Sequence, residues 1–101
     1  MAIAYYATFP PSDRPMSEIA NQVIERIGRE LDGKAPEGAI FHAEGPLPDG
    51  GWWTFDEWES DEAFAAFRQQ ILMPALQDAG VSRPNVQRLD VHWDSSQMGP
   101  S

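Results

Sequence analysis

The sequence predicts an α+β sandwich, four antiparallel strands backed by two helices in the order β, α, β, β, α, β. Three observations carry that prediction. The apolar spacing changes from strand-like to helix-like on either side of Pro10-Pro11, the middle of the chain carries the turn chemistry of a hairpin, and 101 residues suffice for one core only.

Ala2 to Phe9 is aromatic and aliphatic and ends at two prolines that cannot extend a ladder, which makes it the first strand. From Met16, Ile19, Ala20, Val23, Ile24, Ile27 and Leu31 recur at three-and-four spacing, and Glu25/Arg29 and Arg26/Glu30 pair on the far side. A helix over residues 16–32 follows, stopped by Gly33 and Pro36. Residues 39–45 and 51–59 are two β-rich runs joined by Pro46-Leu47-Pro48-Asp49-Gly50, a hairpin. Ser60 is placed as an N-cap, Asp61 and Glu62 fall in a first turn, and Phe64, Phe67, Ile71, Ala75 and Leu76 carry a second helix toward Gly80. Pro74 must kink or break it. Residues 86–93 alternate as a last strand, and residues 95–101 read as a flexible tail behind a single domain of residues 1–94. This order in a chain of this length is that of the ferredoxin-like sandwich.

Composition narrows the function classes. The chain is 42% hydrophobic and 23% charged, with four Trp among its aromatic residues, as befits a globular domain. A formal charge of -9 repels phosphate backbones and anionic lipid, so neither nucleic acid nor a membrane surface is an expected partner. Without Cys there is no disulfide, thiolate metal site or Cys nucleophile. No basic leader precedes the first strand and no apolar run approaches a span, so a cytoplasmic location is expected.

Strand parity divides the sheet residues into two sets, because alternate side chains point to opposite faces. Phe41, Ala43, Trp53, Phe55, Leu89, Val91 and Trp93 form the more apolar set, expected to meet the helices. Ile40, His42, Glu44, Trp52, Thr54, Asp56, Trp58, Arg88, Asp90 and His92 form the other, joined by Tyr6 if no bulge shifts the register. That second face is too aromatic to stand bare and too polar for a core. The expectation is a homodimer in which two sheets face one another around an aromatic-walled cavity for a small molecule.

The stretch Phe41-His42-Ala43-Glu44-Gly45-Pro46, then Gly50-Gly51-Trp52, Asp56-Glu57-Trp58-Glu59-Ser60, Glu62-Ala63-Phe64, Phe67-Arg68 and Pro74-Ala75-Leu76 resembles the small dimeric α/β-barrel proteins. These are grouped with the antibiotic biosynthesis monooxygenase-like families, many of whose members are uncharacterised actinobacterial proteins. The resemblance spans roughly residues 2–93 and implies a barrel closed by the two sheets of a dimer. It also implies that relatives include cofactor-free oxygenases of aromatic polyketides and quinols, and haem-degrading enzymes. The haem-degrading branch carries an Asn on the first strand, a Trp on the third and a His on the second helix. Trp58 matches that Trp, but the first strand has no Asn and residues 61–78 have no His, which argues against haem degradation.

Within this frame the candidate catalytic pair is His42 and Asp56. His titrates near neutral pH, and a carboxyl among aromatics has its pKa raised and can exchange protons. Tyr6, Trp52, Trp58, Asp90 and His92 are the candidate ligand-binding residues. No metal site is expected, since two His and scattered carboxylates lack ligand spacing, and no cofactor is expected. The function expected is binding of a small aromatic or polycyclic molecule, with cofactor-free oxygenation or proton transfer on a phenol-like carbon as its reaction. The alternative is a non-catalytic barrel that binds a metabolite or serves a structural role. The glycines of residues 45–51 belong to the hairpin and do not lead from a strand into a helix, so they cradle no phosphate.

Overall fold

The computed structural model describes residues 2–98. Strand β1 (Ile3–Phe9) is followed by helix α1 (Met16–Glu30), the hairpin β2 (Ala39–Pro46) and β3 (Trp52–Trp58), helix α2 (Asp61–Phe67), a π-helical turn at Arg68–Leu72, helix α3 (Met73–Asp78) and strand β4 (Asn85–Asp90). The strands form one antiparallel sheet in the order β2-β3-β1-β4, the expected ferredoxin-like topology.

Local chemistry sets each boundary. After α1, Asp32 and Gly33 take positive φ, and the Gly33 amide donates to the Gly28 carbonyl at 2.8 Å, closing the helix end. Ser60 caps α2, its hydroxyl accepting from the Ala63 amide at 3.2 Å. Pro74 has no N–H to give to the turn before it. The chain widens there into the π turn, with the Met73 amide donating to the Arg68 carbonyl, so the proline is absorbed without ending the helical rod. The Pro74 carbonyl accepts from Arg26 at 3.2 Å, and Arg26 also pairs with Glu30 and Asp78, tying α1 to α3.

The core lies between the helices and one face of the sheet. Ala7 and Phe9 of β1 pack with Met16, Ile19 and Val23 of α1 and with Ala75 and Ala79, and Trp52 leans on the same cluster. Tyr5 stacks on Phe64 at 4.0 Å between ring centres, and Trp58 meets Phe64 and Phe67 at 5.5 and 5.3 Å. Tyr5, Ala7, Phe9, Trp52 and Trp58 therefore all face the helices.

That arrangement reverses the faces expected from sequence. Register pairs Tyr5 with Asp56 and Tyr6 with Phe55, so His42, Glu44, Trp52, Asp56, Trp58, Arg88 and Asp90 lie on the helix side. Phe41, Ala43, Trp53, Phe55 and Leu89 form the opposite, open face, and Tyr6 lies with them, not with Trp52 and Trp58. The polar set sits beneath the helices because it is not uniformly polar: its tryptophans supply core volume, and each of its cations, His42 and Arg88, is held between two carboxylates. A bulge at Ile40 also breaks the alternation of β2 between Ala39 and Phe41. Strand β4 ends at Asp90, short of the expected Trp93, which leaves His92 in an exposed bend beyond the sheet. Ser95–Gln97, expected in a flexible tail, form a 3-10 turn capped by Asp94, and residues 99–101 of that tail lie outside the described residues.

Candidate functional site

One rung of the helix-facing side crosses all four strands. Register places His42 of β2 beside Asp56 of β3, Asp56 beside Tyr5 of β1, and Tyr5 beside Arg88 of β4. Because cross-strand partners share a face, the fold brings a cation, a carboxylate, a phenol and a second cation into one line beneath the helices.

At the β2 end of this rung, His42 Nδ1 is hydrogen-bonded to Asp56 and Nε2 to Glu44, while the Trp52 indole donates to the other Glu44 oxygen at 3.0 Å. The imidazole is half exposed, but Glu44 and Asp56 are only 17% and 15% exposed. Hydrogen bonds to Asp56 and then Glu44 push the His42 pKa from 6.5 to about 10, against the opposing effect of its burial. His42 is thus an imidazolium at neutral pH with both nitrogens committed. In this arrangement both ring nitrogens of His42, the residue expected as a general base, are engaged by carboxylates. Asp56 is likewise committed to His42.

At the other end, the Tyr5 hydroxyl donates to Asp61, and Arg88 grips both oxygens of the same carboxylate at 2.9 and 2.8 Å while reaching Asp90 at 2.7 Å. Arg88, helped by Tyr5, holds the Asp61 carboxyl down at about 2. Burial, then the Asp61 bond, raises the Tyr5 phenol, so it is protonated and donating. A pocket of about 350 Å³ opens at this end, with Ile3, Asp61, Arg88 and Asp90 in its wall.

Trp58 lies one step along, paired with Ile3 and only 3% exposed. Among the described residues its indole N–H has no acceptor. Burying an indole removes roughly 200 Å² from water, worth about 5 kcal/mol, against about 1–3 kcal/mol for an unpaired buried donor. The packing wins, and the donor is left over for an acceptor that the fold does not supply.

The expected site residues therefore divide. His42, Asp56, Trp52, Trp58 and Asp90 share the helix-facing side, whereas Tyr6 lies on the open face and His92 beyond the sheet. Tyr5, Glu44, Arg88 and Asp61 complete the network without having been singled out. The signal for Tyr5 was its parity with Ala7 and Phe9, and the remaining pairings depend on register between strands distant in sequence. No group of three or more His, Asp or Glu suited to a metal ion occurs among the described residues.

The open face is chemically plain. A groove of about 410 Å³ there is lined by Tyr6, Phe41, Ala43, Trp53 and Phe55. Phe41 is 55% exposed and Leu89 37% exposed.

No protein-family profile matches the sequence. Nor does any curated protein. Solved structures do match across almost the whole chain. Rv0793 from Mycobacterium tuberculosis superposes with a TM-score of 0.71 at 18% identity, covering 94% of this chain and 99% of its own. SnoaB, a cofactor-independent oxygenase from Streptomyces nogalater, gives 0.67 at 13% identity, covering 95% and 98%. A Chloroflexus aurantiacus protein classed with the antibiotic biosynthesis monooxygenases gives 0.70 at 9% identity, covering 94% and 98%. The chain therefore shares with these structures the ferredoxin-like fold, one antiparallel sheet backed by helices. No helix of the described residues is long and apolar enough to cross a membrane.

Proposed function

We propose that this chain binds a small aromatic molecule against the polar rung beneath its helices, and that two copies pair through the opposite, apolar face. The observation that carries the reading is the segregation of the sheet. Every ionisable side chain of the rung projects to the helix side, together with the unpaired indole N–H of Trp58, whereas the open face offers mainly aromatic and aliphatic surface. A site of this composition, aromatic walls with a few convergent polar groups, suits a planar ligand bearing a carbonyl or phenolic oxygen. The ligand oxygen accepts from Trp58, and Tyr5, which packs on the same Phe64 ring as Trp58, flanks it.

The proposed homodimer uses Tyr6, Phe41, Trp53, Phe55 and Leu89, a surface too apolar for a monomer to leave in water. The site then belongs to each chain separately and does not lie between the two sheets. A cytoplasmic location is part of the same reading.

Binding is placed ahead of turnover because His42 has both nitrogens occupied and is charged at neutral pH. Turnover is the second reading, favoured by the whole-length likeness to SnoaB, whose own activity is cofactor-independent oxygenation. Its form here is oxygenation of an activated phenol-like carbon without a cofactor. A thermal-shift screen of naphthols, naphthoquinones and simple phenols tests binding, since a ligand specific to the folded state raises Tm. A hit that loses its shift in Trp58→Phe and keeps it in Trp53→Phe supports the assignment. A panel without hits, or hits insensitive to Trp58, overturns it. Oxygen uptake with the bound compounds then separates binding from turnover.

A further inference from the structure

We propose that strand β4 is a docking edge for a second copy of this chain, the two β4 strands pairing antiparallel about a two-fold axis at Leu89. The sheet order places β2 and β4 at its two edges. Strand β2 carries devices that blunt an edge, a bulge at Ile40 and Gly45-Pro46 at its end. Strand β4 carries none of them. Asn85–Asp90 holds neither glycine nor proline and pairs with β1 without a register shift. All six of its residues are exposed, and no strand lies beyond it among the described residues.

The backbone limits how two such edges can meet. The Val91 amide donates to the Ala2 carbonyl at 3.2 Å, so it points toward β1. Direction alternates along a strand, which turns the amides and carbonyls of Val86, Arg88 and Asp90 outward. A two-fold axis must set these residues opposite one another. Arg88 against Arg88, or Asp90 against Asp90, opposes like charges. Val86 against Arg88 or against itself sets Pro84, which has no N–H to give, opposite Asp90 or Arg88. The remaining register sets Arg88 of each copy against the partner's Asp90, so opposite charges pair and main-chain bonds form on both sides of the axis. Leu89 then meets the partner's Leu89 at the axis, in the position where facing Cα atoms are about 4.5 Å apart.

The pairing also reaches the pocket walled by Ile3, Asp61, Arg88 and Asp90, because Arg88 and Asp90 project to the helix side. Within one copy Arg88 holds Asp61 with two nitrogens and Asp90 with the third. The partner's Arg88 brings a second guanidinium to Asp90 and closes the pocket on the side where the sheet ends. The edge is separate from the apolar face, so this inference stands whether or not the faces pair.

The chain has no Cys, so one introduced thiol reports the geometry. Leu89→Cys in the full chain, oxidised with copper-phenanthroline, is expected to give a disulfide-linked dimer, because the facing Cα atoms fall within disulfide range. Gln87→Cys is expected to run as a monomer on denaturing gels, since the same register puts Gln87 opposite the partner's Val91. Adding Asp90→Arg to Leu89→Cys is expected to abolish the cross-link, whereas adding Phe41→Glu, which blocks pairing through the open face, is expected to leave it. All four substituted positions are exposed, so the fold tolerates the changes. Absence of the Leu89→Cys cross-link overturns the proposal, and so do equal cross-linking at Gln87→Cys and survival of the cross-link with Asp90→Arg. Its loss with Phe41→Glu also overturns the proposal and assigns the contact to the open face instead.

Discussion

Replacing His42 by Leu tests the electrostatics of the rung. The substitution keeps a side chain of similar bulk but removes the cation from between Asp56 and Glu44. Two charge-assisted hydrogen bonds of a buried group would be worth about 1.5–3 kcal/mol each, and exposed ion pairs about 0–1 kcal/mol. The imidazole is 50% exposed and its partners 15% and 17%, which places each bond between those limits, near 1 kcal/mol. The expected loss is about 2 kcal/mol, or about 8–16 °C in Tm for a domain of this length. Its pH dependence is diagnostic. His42 is raised from 6.5 to about 10, so its contribution is fully present below pH 6.5 and disappears as pH rises through about 10. Urea denaturation of both proteins from pH 6 to 10.5 should show a gap that is largest at pH 6 and closes near the upper end. A gap that stays constant across the range, or imidazole nitrogen shifts of a neutral ring at pH 8, would refute the assignment of His42 as a fixed cation.

Other consequences are as direct. Arg88→Met removes the group that holds Asp61 at about 2. The wild-type contribution of Asp61 is present above pH 3.8 and lost as pH falls toward 2, so an acid titration followed by circular dichroism should show the variant less stable at pH 5–7 and the two converging at the acid end. Phe55→Glu places a charge at the centre of the open face and should turn the proposed dimer into a monomer in sedimentation without altering far-UV dichroism, whereas a wild type that already sediments as a monomer would refute the pairing. Gly38→Ala should cost about 2–3 kcal/mol in denaturant unfolding, because Gly38 has φ 83° and an added Cβ would lie 2.5 Å from that of Ala63 on α2.

Much of this architecture is legible in the sequence because it is local. The two prolines after β1, the three-and-four spacing of α1, the turn residues of the hairpin and the Ser60 cap each act on their own neighbours. Even the disturbance at Pro74 follows from a missing N–H, although its form, a π turn ahead of the proline rather than a break, depends on α1 and α3 packing together. Parity within β3 and within most of β2 is equally local, which is why His42, Trp52, Asp56 and Trp58 were grouped correctly.

What is not local was not legible. Parity separates two faces but does not say which one meets the helices, and hydrophobicity pointed the wrong way. Phe41, Trp53 and Phe55 look more like core than His42 and Asp56 do. The charges beneath the helices are tolerated only because each has a partner: His42 its two carboxylates, Arg88 its own two. Those partners become visible only when register aligns β2, β3, β1 and β4, four segments spread over the whole chain. Tyr6 was misplaced for the same reason, since nothing in β1 alone reveals whether it pairs beside Phe55 or Asp56. Tyr5, its neighbour, proved to be the phenol on the rung.

The central claim is that a ligand meets the helix-facing side at Trp58. The four indole N–H signals of the protein make an internal control. Trp52 is already bonded to Glu44, Trp53 lies on the open face, Trp93 follows β4, and Trp58 is buried with its donor unpaired. A 1H–15N titration with a naphthol or naphthoquinone that raises Tm is predicted to move the Trp58 indole signal downfield to saturation while Trp53 stays in place. Movement of Trp53 with Trp58 unchanged would put the ligand in the groove of the open face and contradict the account.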